Sequence, residues 1–358
     1  MLRNLKLFFL GASQASHLSS LVFSSRWRTS RLLILCYHGV SLDDEHRWDP
    51  LLYVSPEHFR VRLQYLRDRN CNVLPLGEAI ERLYAGTLPP RSVVLTFDDG
   101  FYDFYAAAWP ILKEFSMPAT VYQTTYYAEY NRPVFDVMCD YLFWKTTQPR
   151  LDWPEVIGSP VTLPQSRYGS AVCAVKQHCI RRKLTGAGKD GVLLELAARL
   201  SVDMDGILRK RILHLMNPAE IREIAAAGVD IQLHTHRHNA PADREVLWAE
   251  IDQNRERIER LTGRKANHFC YPNGTVRPGV PDLLRQRGVI SGTTGEAGLA
   301  SRSTDPLLLG RLFDTCHLTE QEFFGWLSGV AAFLPQRPAT LPYSEMANSP
   351  QLETALKG

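Results

Sequence analysis

Two adjacent carboxylates follow a short apolar run in the stretch VVLTFDDG, residues 93–100. Asp98 and Asp99 repel each other when both are ionised, and neither can be buried cheaply. A divalent cation relieves this repulsion, because one carboxylate can bind the cation while the other stays ionised beside it. The pair therefore predicts a metal site.

A cluster of imidazoles offers further ligands for such a metal. Three of the eleven histidines fall within five residues, in LHTHRH at 233–238. Imidazole suits Zn²⁺ and similar ions. His234 and His238 are four residues apart and can turn their rings to one point, whereas His236 is expected to face elsewhere.

The elements that must position these residues alternate along the chain. Short apolar runs, such as those at 32–38, 93–97 and 229–234, are separated by helical stretches. This alternation is typical of a parallel α/β protein. About seven or eight such units predict a barrel, in which reactive residues gather at the C-terminal ends of the strands. Asp98 and His234 stand at such ends.

One long segment breaks the alternation and divides the chain. Residues 130–215 combine Pro-rich and Gly-rich loops with apolar stretches that carry no strand signal. The predicted organisation is a basic N-terminal extension (1–30), a barrel (31–129 and 216–330), a helical insertion (130–215) and a C-terminal tail (331–358).

Two motifs resemble a known family. LTFDDG and HTHRH are similar to the first two motifs of the NodB-homology polysaccharide deacetylases, carbohydrate esterase family 4. The resemblance implies an α/β fold of the distorted (β/α)7–8 barrel type. It also implies an enzyme that removes acetyl groups from N-acetylated sugars. It implies that Asp98 is the general base and that Asp99, His234 and His238 hold a divalent metal. Zinc is the expected ion, with cobalt, nickel or iron as alternatives.

A third motif of the family is similar to FCYPNG at 269–274. The resemblance assigns the backbone N–H of Asn273 to the oxyanion hole and places Tyr271 on the groove wall beside substrate. Cys270 stands where the family has an arginine. Arg311 is therefore a candidate for orienting Asp98, and a plain structural salt bridge is the alternative.

The stretch LCYHGV at 35–40 resembles the start of the circularly permuted branch of the family, which includes poly-N-acetylglucosamine deacetylases. In that branch the strand that supplies the catalytic acid has moved to the front of the chain. The resemblance thus implies that His38 is the acid. An N-acetylated carbohydrate, free or lipid-linked, is the implied substrate.

Charge and cysteine content restrict partners and compartment. A net charge of +3 over 358 residues does not indicate a nucleic-acid surface. No acidic residue precedes Asp43, so the basic N-terminus could lie on an anionic membrane or could be a frayed extension. Seven scattered cysteines without a CxxC pair favour a reducing cytoplasm, and the apolar run at 7–12 is short for an export signal.

Two other functions are compatible with these motifs. The pair His234 and His236 could be the H-x-H ligands of a metal-dependent amidohydrolase that acts on a small cyclic amide. A non-catalytic glycan-binding pseudo-enzyme is the other alternative. The first requires His236, rather than His238, as a ligand.

Overall fold

A computed structural model describes residues 2–164 and 169–335. The described residues form one curled sheet covered by helices, together with two small strand pairs. The strands are, in chain order, β1 (Leu32–Tyr37), β2 (Gly39–Val40), β3 (Tyr53–Val54), β4 (Asn72–Val73), β5 (Ser92–Phe97), β6 (Thr120–Gln123), β7 (Arg150–Leu151), β8 (Val161–Thr162), β9 (Asp230–Leu233), β10 (His268–Cys270), β11 (Ser291–Thr293), β12 (Leu299–Ala300) and β13 (Leu312–Phe313).

The α-helices alternate with most of these strands along the chain, as the sequence predicts. They are α1 (Leu2–Ala15), α2 (Leu18–Ser24), α3 (Arg26–Thr29), α4 (Glu45–Trp48), α5 (Pro56–Asp68), α6 (Leu76–Ala85), α7 (Trp109–Phe115), α8 (Phe135–Lys145), α9 (Pro154–Ile157), α10 (Ser170–Arg181), α11 (Gly186–Arg199), α12 (Met204–Arg209), α13 (Pro218–Ala226), α14 (Arg244–Thr262), α15 (Val280–Gln286) and α16 (Glu320–Ser328).

The main sheet follows the order β11-β10-β9-β6-β5-β1-β12, with β13 beside β1 and β4 beside β5. Every pairing is parallel except that of β12 with β1. All six residues of β1 and of β5 are buried, as expected for parallel strands covered on both faces. The α/β barrel class predicted from the sequence is confirmed.

Residues 306–314 close the barrel. The N–H of Gly292 donates to the carbonyl of Pro306 at 2.8 Å, and the N–H of Asp314 donates to the carbonyl of Cys36 at 3.1 Å. This segment therefore bridges β11 and β1, the two ends of the parallel run. The C-terminal ends of the parallel strands consequently meet at one rim.

Local signals explain where the helices begin. Ser55 accepts a hydrogen bond from the His58 N–H at 3.1 Å and precedes Pro56 at the first turn of α5, as the sequence predicts. A π-helical turn, Phe104–Ala108, directly precedes α7. Pro110 lies at the start of α7 and has no N–H to donate to the preceding turn, which the wider π turn accommodates.

The insertion has its own apolar core. Helices α8, α10, α11 and α12 pack around Met138, Leu142 and Leu196, and Trp48 and Tyr53 of the barrel side join the same cluster. The strand pair β7–β8 is an addition to the all-helical segment expected over 130–215. The division of the chain into a barrel and an insertion at 130–215 stays a prediction.

The N-terminal helices belong to the main core, so the expectation of a frayed extension is wrong. Leu10 and Phe23 are buried in the core cluster of the barrel. Arg28 is fully buried and donates from Nε to the carbonyl of Leu327 at 2.7 Å. Most of the tail predicted at 331–358 lies outside the described residues. Among those described, no helix has the length and apolar content needed to cross a membrane.

Candidate active site

Asp98 leaves β5 at the C-terminal rim and is held by a buried arginine. Arg311, just before β13, donates from Nη1 to Asp98 Oδ1 at 2.7 Å and from Nη2 to Oδ2 at 2.8 Å. Burial alone would raise the pKa of Asp98, but the guanidinium of Arg311 outweighs it and holds the pKa well below its ordinary value. Asp98 is therefore ionised and fixed in orientation.

Asp99 lies beside two imidazoles. Its Oδ1 atom is 3.2 Å from Nε2 of His234 and 3.2 Å from Nε2 of His238. The ligand atoms of the three residues all lie within 4.8 Å of one another. The structure thus brings together the three predicted metal ligands, from strand ends more than 130 residues apart in the chain.

The donor set fits a divalent cation of the zinc type. His234 Nδ1 lies 2.9 Å from the carbonyl of Cys270, which can only accept, so Nδ1 carries the proton and Nε2 faces Asp99. Burial lowers the pKa of His238 to about 4 despite the opposing effect of Asp99, so this imidazole is neutral near pH 7. Burial opposes ionisation of Asp99, but His238 and His234 lower its pKa to about 2. Burial lowers the pKa of His234, but Cys270 and Asp99 outweigh this effect and raise the pKa well above its ordinary value, so a cation bound here would replace the proton on Nε2. A carboxylate and two imidazole nitrogens are ligands that Zn²⁺ accepts.

Unusual backbone conformations aim these side chains. Asp99, Thr235 and His238 have φ values of 69°, 63° and 57°, in the left-handed region. Non-glycine residues there cost about 1–3 kcal/mol each and persist where surrounding contacts hold them. The Thr235 hydroxyl accepts from the Asn239 N–H at 2.9 Å and fixes the turn between the two histidines. Gly100 has φ 80°, and a Cβ there would lie 2.1 Å from the Gln123 side chain.

A second group, Asp98, His234 and Cys270, also has ligand atoms within 4.8 Å of one another. Both oxygens of Asp98 are already bound by Arg311, whose Nη2 also lies 3.2 Å from Cys270 Sγ. A guanidinium at this position repels a cation. The site around Asp99 is therefore the better metal site of the two.

His38 directly follows β1 and lies near Asp98. Its Nε2 is 3.9 Å from Asp98 Oδ2, too far for a direct hydrogen bond but close enough for both groups to face the same reacting atoms. The ring stacks against Phe313, with centroids 5.7 Å apart and planes at 22°. The side chain is 13% exposed, so it can be reached from the rim.

The residues behind His38 form a polar network that sequence reasoning missed. The hydroxyl of Tyr37 donates to Asp314 at 2.8 Å, and Arg62 Nε donates to the same carboxylate at 3.0 Å. The signal was available in α5, where Arg62 shares the buried face with Phe59 and Leu63. A charged residue on an apolar face indicates a buried partner.

The remaining predicted residues are placed less directly. His236 is buried, and its Nδ1 lies 2.8 Å from the Thr125 hydroxyl, outside the three-ligand group. Tyr271 is 1% exposed and its hydroxyl has no hydrogen-bond partner among the described residues, so its ring offers no surface to a substrate. Asn273 is half-buried with φ 58°, and its oxyanion role stays a prediction.

Comparisons with known proteins agree with this fold. The family described as Polysaccharide deacetylase matches residues 85–157 and 192–290. Poly-beta-1,6-N-acetyl-D-glucosamine N-deacetylase of Escherichia coli K12 is 31% identical over 101 residues, which is 28% of this chain and 15% of that protein. The protein of the same name from Staphylococcus epidermidis is 35% identical over 72 residues, which is 20% of this chain and 25% of that protein.

A solved structure, Streptococcus pyogenes deacetylase PplD in complex with acetate, aligns with a TM-score of 0.54 at 18% identity, covering 82% of this chain and 96% of that one. That likeness concerns the fold. The chain spans about a third or less of the length of the curated relatives it matches. The matched segments and the shared fold assign the chain to the NodB-type polysaccharide deacetylases.

Proposed function

We propose that the chain is a metal-dependent hydrolase that removes N-acetyl groups from an N-acetylated sugar or polysaccharide, with acetate and a free amine as products. The observation that carries this proposal is the grouping of Asp98, His38 and the ligands around Asp99 at one rim of the barrel. An ionised base, an imidazole and a cation site around one space match the needs of amide hydrolysis.

The chain's own residues divide the work of the reaction. Amides resist hydrolysis because the nitrogen lone pair is delocalised and the amine leaves poorly. Asp99, His234 and His238 would hold a divalent cation, which when bound would polarise the acetyl carbonyl and make water more acidic. Asp98, held by Arg311, accepts the proton of the attacking water.

His38 then protonates the departing nitrogen from the rim, where its ring is partly exposed 3.9 Å from Asp98. A backbone N–H, that of Asn273 in this proposal, stabilises the tetrahedral oxyanion. Such a donor contributes about 3–4 kcal/mol to transition-state stabilisation.

An aromatic cluster beside the site supports a sugar substrate. Tyr126 follows β6, and its ring lies 5.1 Å from that of Tyr127 and 5.6 Å from that of Tyr130. The Tyr126 N–H donates to the carbonyl of His236 at 2.8 Å, which ties the cluster to the loop of the ligand histidines. Tyr127 and Tyr130 are exposed, and aromatic faces pair well with the C–H-rich faces of pyranose rings.

Three finer points belong to this proposal. Zinc is the expected ion, with cobalt, nickel or iron as alternatives. The substrate is a β-linked N-acetylglucosamine polymer or a lipid-linked acetamido sugar. The protein acts in the cytoplasm, an expectation supported by seven free cysteines, which are typical of a reducing compartment.

The amidohydrolase alternative needs His236 as a ligand. Its Nδ1 is engaged by Thr125, and the residue does not belong to the group around Asp99. The structure offers this alternative no ligand group built on His234 and His236 among the described residues.

The test combines acetate release with metal content. The full chain is loaded with Zn²⁺ and screened against chitooligosaccharides, poly-N-acetylglucosamine fragments and lipid-linked acetamido sugars. We expect acetate release from at least one class, and loss of both metal and activity in Asp99→Ala. The variant Asp98→Asn is expected to keep the metal and lose activity. Tight glycan binding without acetate release would instead favour the pseudo-enzyme.

A further inference from the structure

The N-terminal helices are apolar on two opposite sides. The inner side, with Leu10 of α1 and Phe23 of α2, is buried in the main core. The outer side carries large apolar side chains that are 49–69% exposed. These are Leu5, Phe8 and Phe9 on α1 and Leu18 and Leu21 on α2. The spacing of Leu5, Phe8 and Phe9 places them in one row along α1.

This concentration sets the segment apart from the rest of the surface. Five of the fifteen large apolar side chains exposed among the described residues lie between positions 5 and 21. Single exposed apolar residues need no explanation, but a contiguous patch marks an interaction site. Something apolar is therefore expected to cover the outer face of α1 and α2.

The charges around the patch indicate what covers it. The first 42 residues contain no Asp or Glu. Arg26 is exposed at the start of α3, and Arg31, just after α3, is partly exposed. The acidic neighbour Glu322 is paired with Arg3 at 3.0 Å. The N-terminal segment that carries the patch thus presents cations, and no carboxylate of its own opposes an anionic surface.

We propose that α1 and α2 lie on an anionic lipid bilayer, with their outer apolar side chains inserted below the headgroups and the flanking arginines among the phosphates. A second copy of the chain is a poorer occupant, because it would bring the same cations against the patch. The proposal is independent of the proposed catalytic function.

Vesicle binding of the full chain tests the proposal. The probes are sedimenting vesicles of pure phosphatidylcholine and of equal parts phosphatidylcholine and phosphatidylglycerol. The outer-row variant, Phe8→Ser/Phe9→Ser/Leu21→Ser, removes three of the five outer apolar side chains. The matched control Val61→Ser/Leu194→Ser/Ile290→Ser removes three apolar side chains of similar exposure elsewhere. Thermal unfolding confirms that both variants are folded.

We expect wild type and control to sediment with the mixed vesicles, with weaker binding at high salt and to pure phosphatidylcholine. The outer-row variant should bind at least tenfold more weakly. Wild type that stays in the supernatant with both vesicles overturns the proposal. A second overturning result is a dimer in solution that the outer-row variant abolishes, with no binding of wild type to vesicles. A third is vesicle binding that appears only after residues 336–358 are deleted.

Discussion

Arg311, which lies 213 residues after Asp98 in the chain, donates a hydrogen bond to each oxygen of the Asp98 carboxylate. Neither side chain is more than 4% exposed. The arginine therefore does two things at once. It balances a buried charge, and it fixes the direction in which the carboxylate faces the rim. The predicted orienting role and the alternative of a structural salt bridge describe the same contact.

Removing this arginine should cost stability. Arg311→Ala leaves Asp98 buried without its counter-ion, and we expect a loss of about 3–5 kcal/mol in the free energy of unfolding. The control Arg60→Ala breaks an exposed pair with Glu114 and should cost less than about 1 kcal/mol. Urea unfolding measures both. Similar losses for the two variants would show that the buried pair contributes no more to the free energy of unfolding than the exposed pair.

The same variant should change the pH profile if it folds. Without the guanidinium, the pKa of Asp98 moves up from its depressed position. As the pH falls, Asp98 would then become protonated earlier, so the acid limb of the rate profile shifts to higher pH. Acetate release across the acid range measures the shift. An unchanged acid limb would argue against Asp98 as the base.

His38→Gln should separate catalysis from metal binding. We expect kcat to fall by about 10²–10⁴-fold, because the proton donor to the leaving nitrogen is lost. Metal content should stay at the wild-type level, since His38 lies outside the ligand group. His17→Gln, in an exposed turn, serves as the control and should leave both quantities unchanged. Loss of metal in His38→Gln would place His38 among the ligands instead.

The two neighbouring histidines discriminate between the proposed reaction and the amidohydrolase alternative. His238→Ala should lose the metal, because its Nε2 faces Asp99 at 3.2 Å. His236→Ala should retain it, because that ring bonds to Thr125. Metal stoichiometry after dialysis against a weak chelator measures both variants. The opposite result would favour the cyclic-amide hydrolase.

Asp103 gives a pH-dependent stability effect. Burial, with the nearby Glu45, raises the pKa of Asp103 well above its ordinary value. The folded protein then keeps a proton that the unfolded chain loses above about pH 4. The free energy of unfolding therefore falls as the pH rises from about 4 towards the raised pKa of Asp103 in the folded protein. Asp103→Asn cannot titrate and can still accept from the Val40 N–H, which lies 3.3 Å from Asp103 Oδ1.

We expect Asp103→Asn to lose less stability than wild type between mildly acidic and mildly alkaline pH. Urea unfolding at the two ends of this range provides the comparison. Asp282→Asn changes a largely exposed carboxyl and should follow the wild-type dependence. Parallel curves for wild type and Asp103→Asn would exclude a buried, protonated Asp103.

The parts of the site that the sequence revealed are those that local patterns encode. Asp98, Asp99, His234 and His238 each follow an apolar strand, and parallel strands end at one rim, so their meeting could be predicted. The partnership of Asp98 with Arg311 depends on how residues 306–314 close the barrel, which no local pattern specifies.

Other features were hidden for different reasons. Tyr271 sits in a motif that indicated a substrate contact, yet its ring packs inward against Phe269 and Gly292. The N-terminal segment looked like a free basic extension because its charges stand out in the sequence. Its packing on α16 depends on Leu10 and Phe23, whose inner face becomes evident only in the fold.

The closure of the barrel by residues 306–314 also bears on how the protein is made. Asp98 leaves the ribosome long before Arg311, and the strand that carries His38 pairs with β13 almost at the end of the described chain. Contacts so distant in sequence form slowly and late. During synthesis, therefore, β5 and Asp98 cannot be buried at the centre of the barrel until most of the polypeptide has emerged. Pauses in translation before codon 311 would prolong exposure to aggregation and to chaperones.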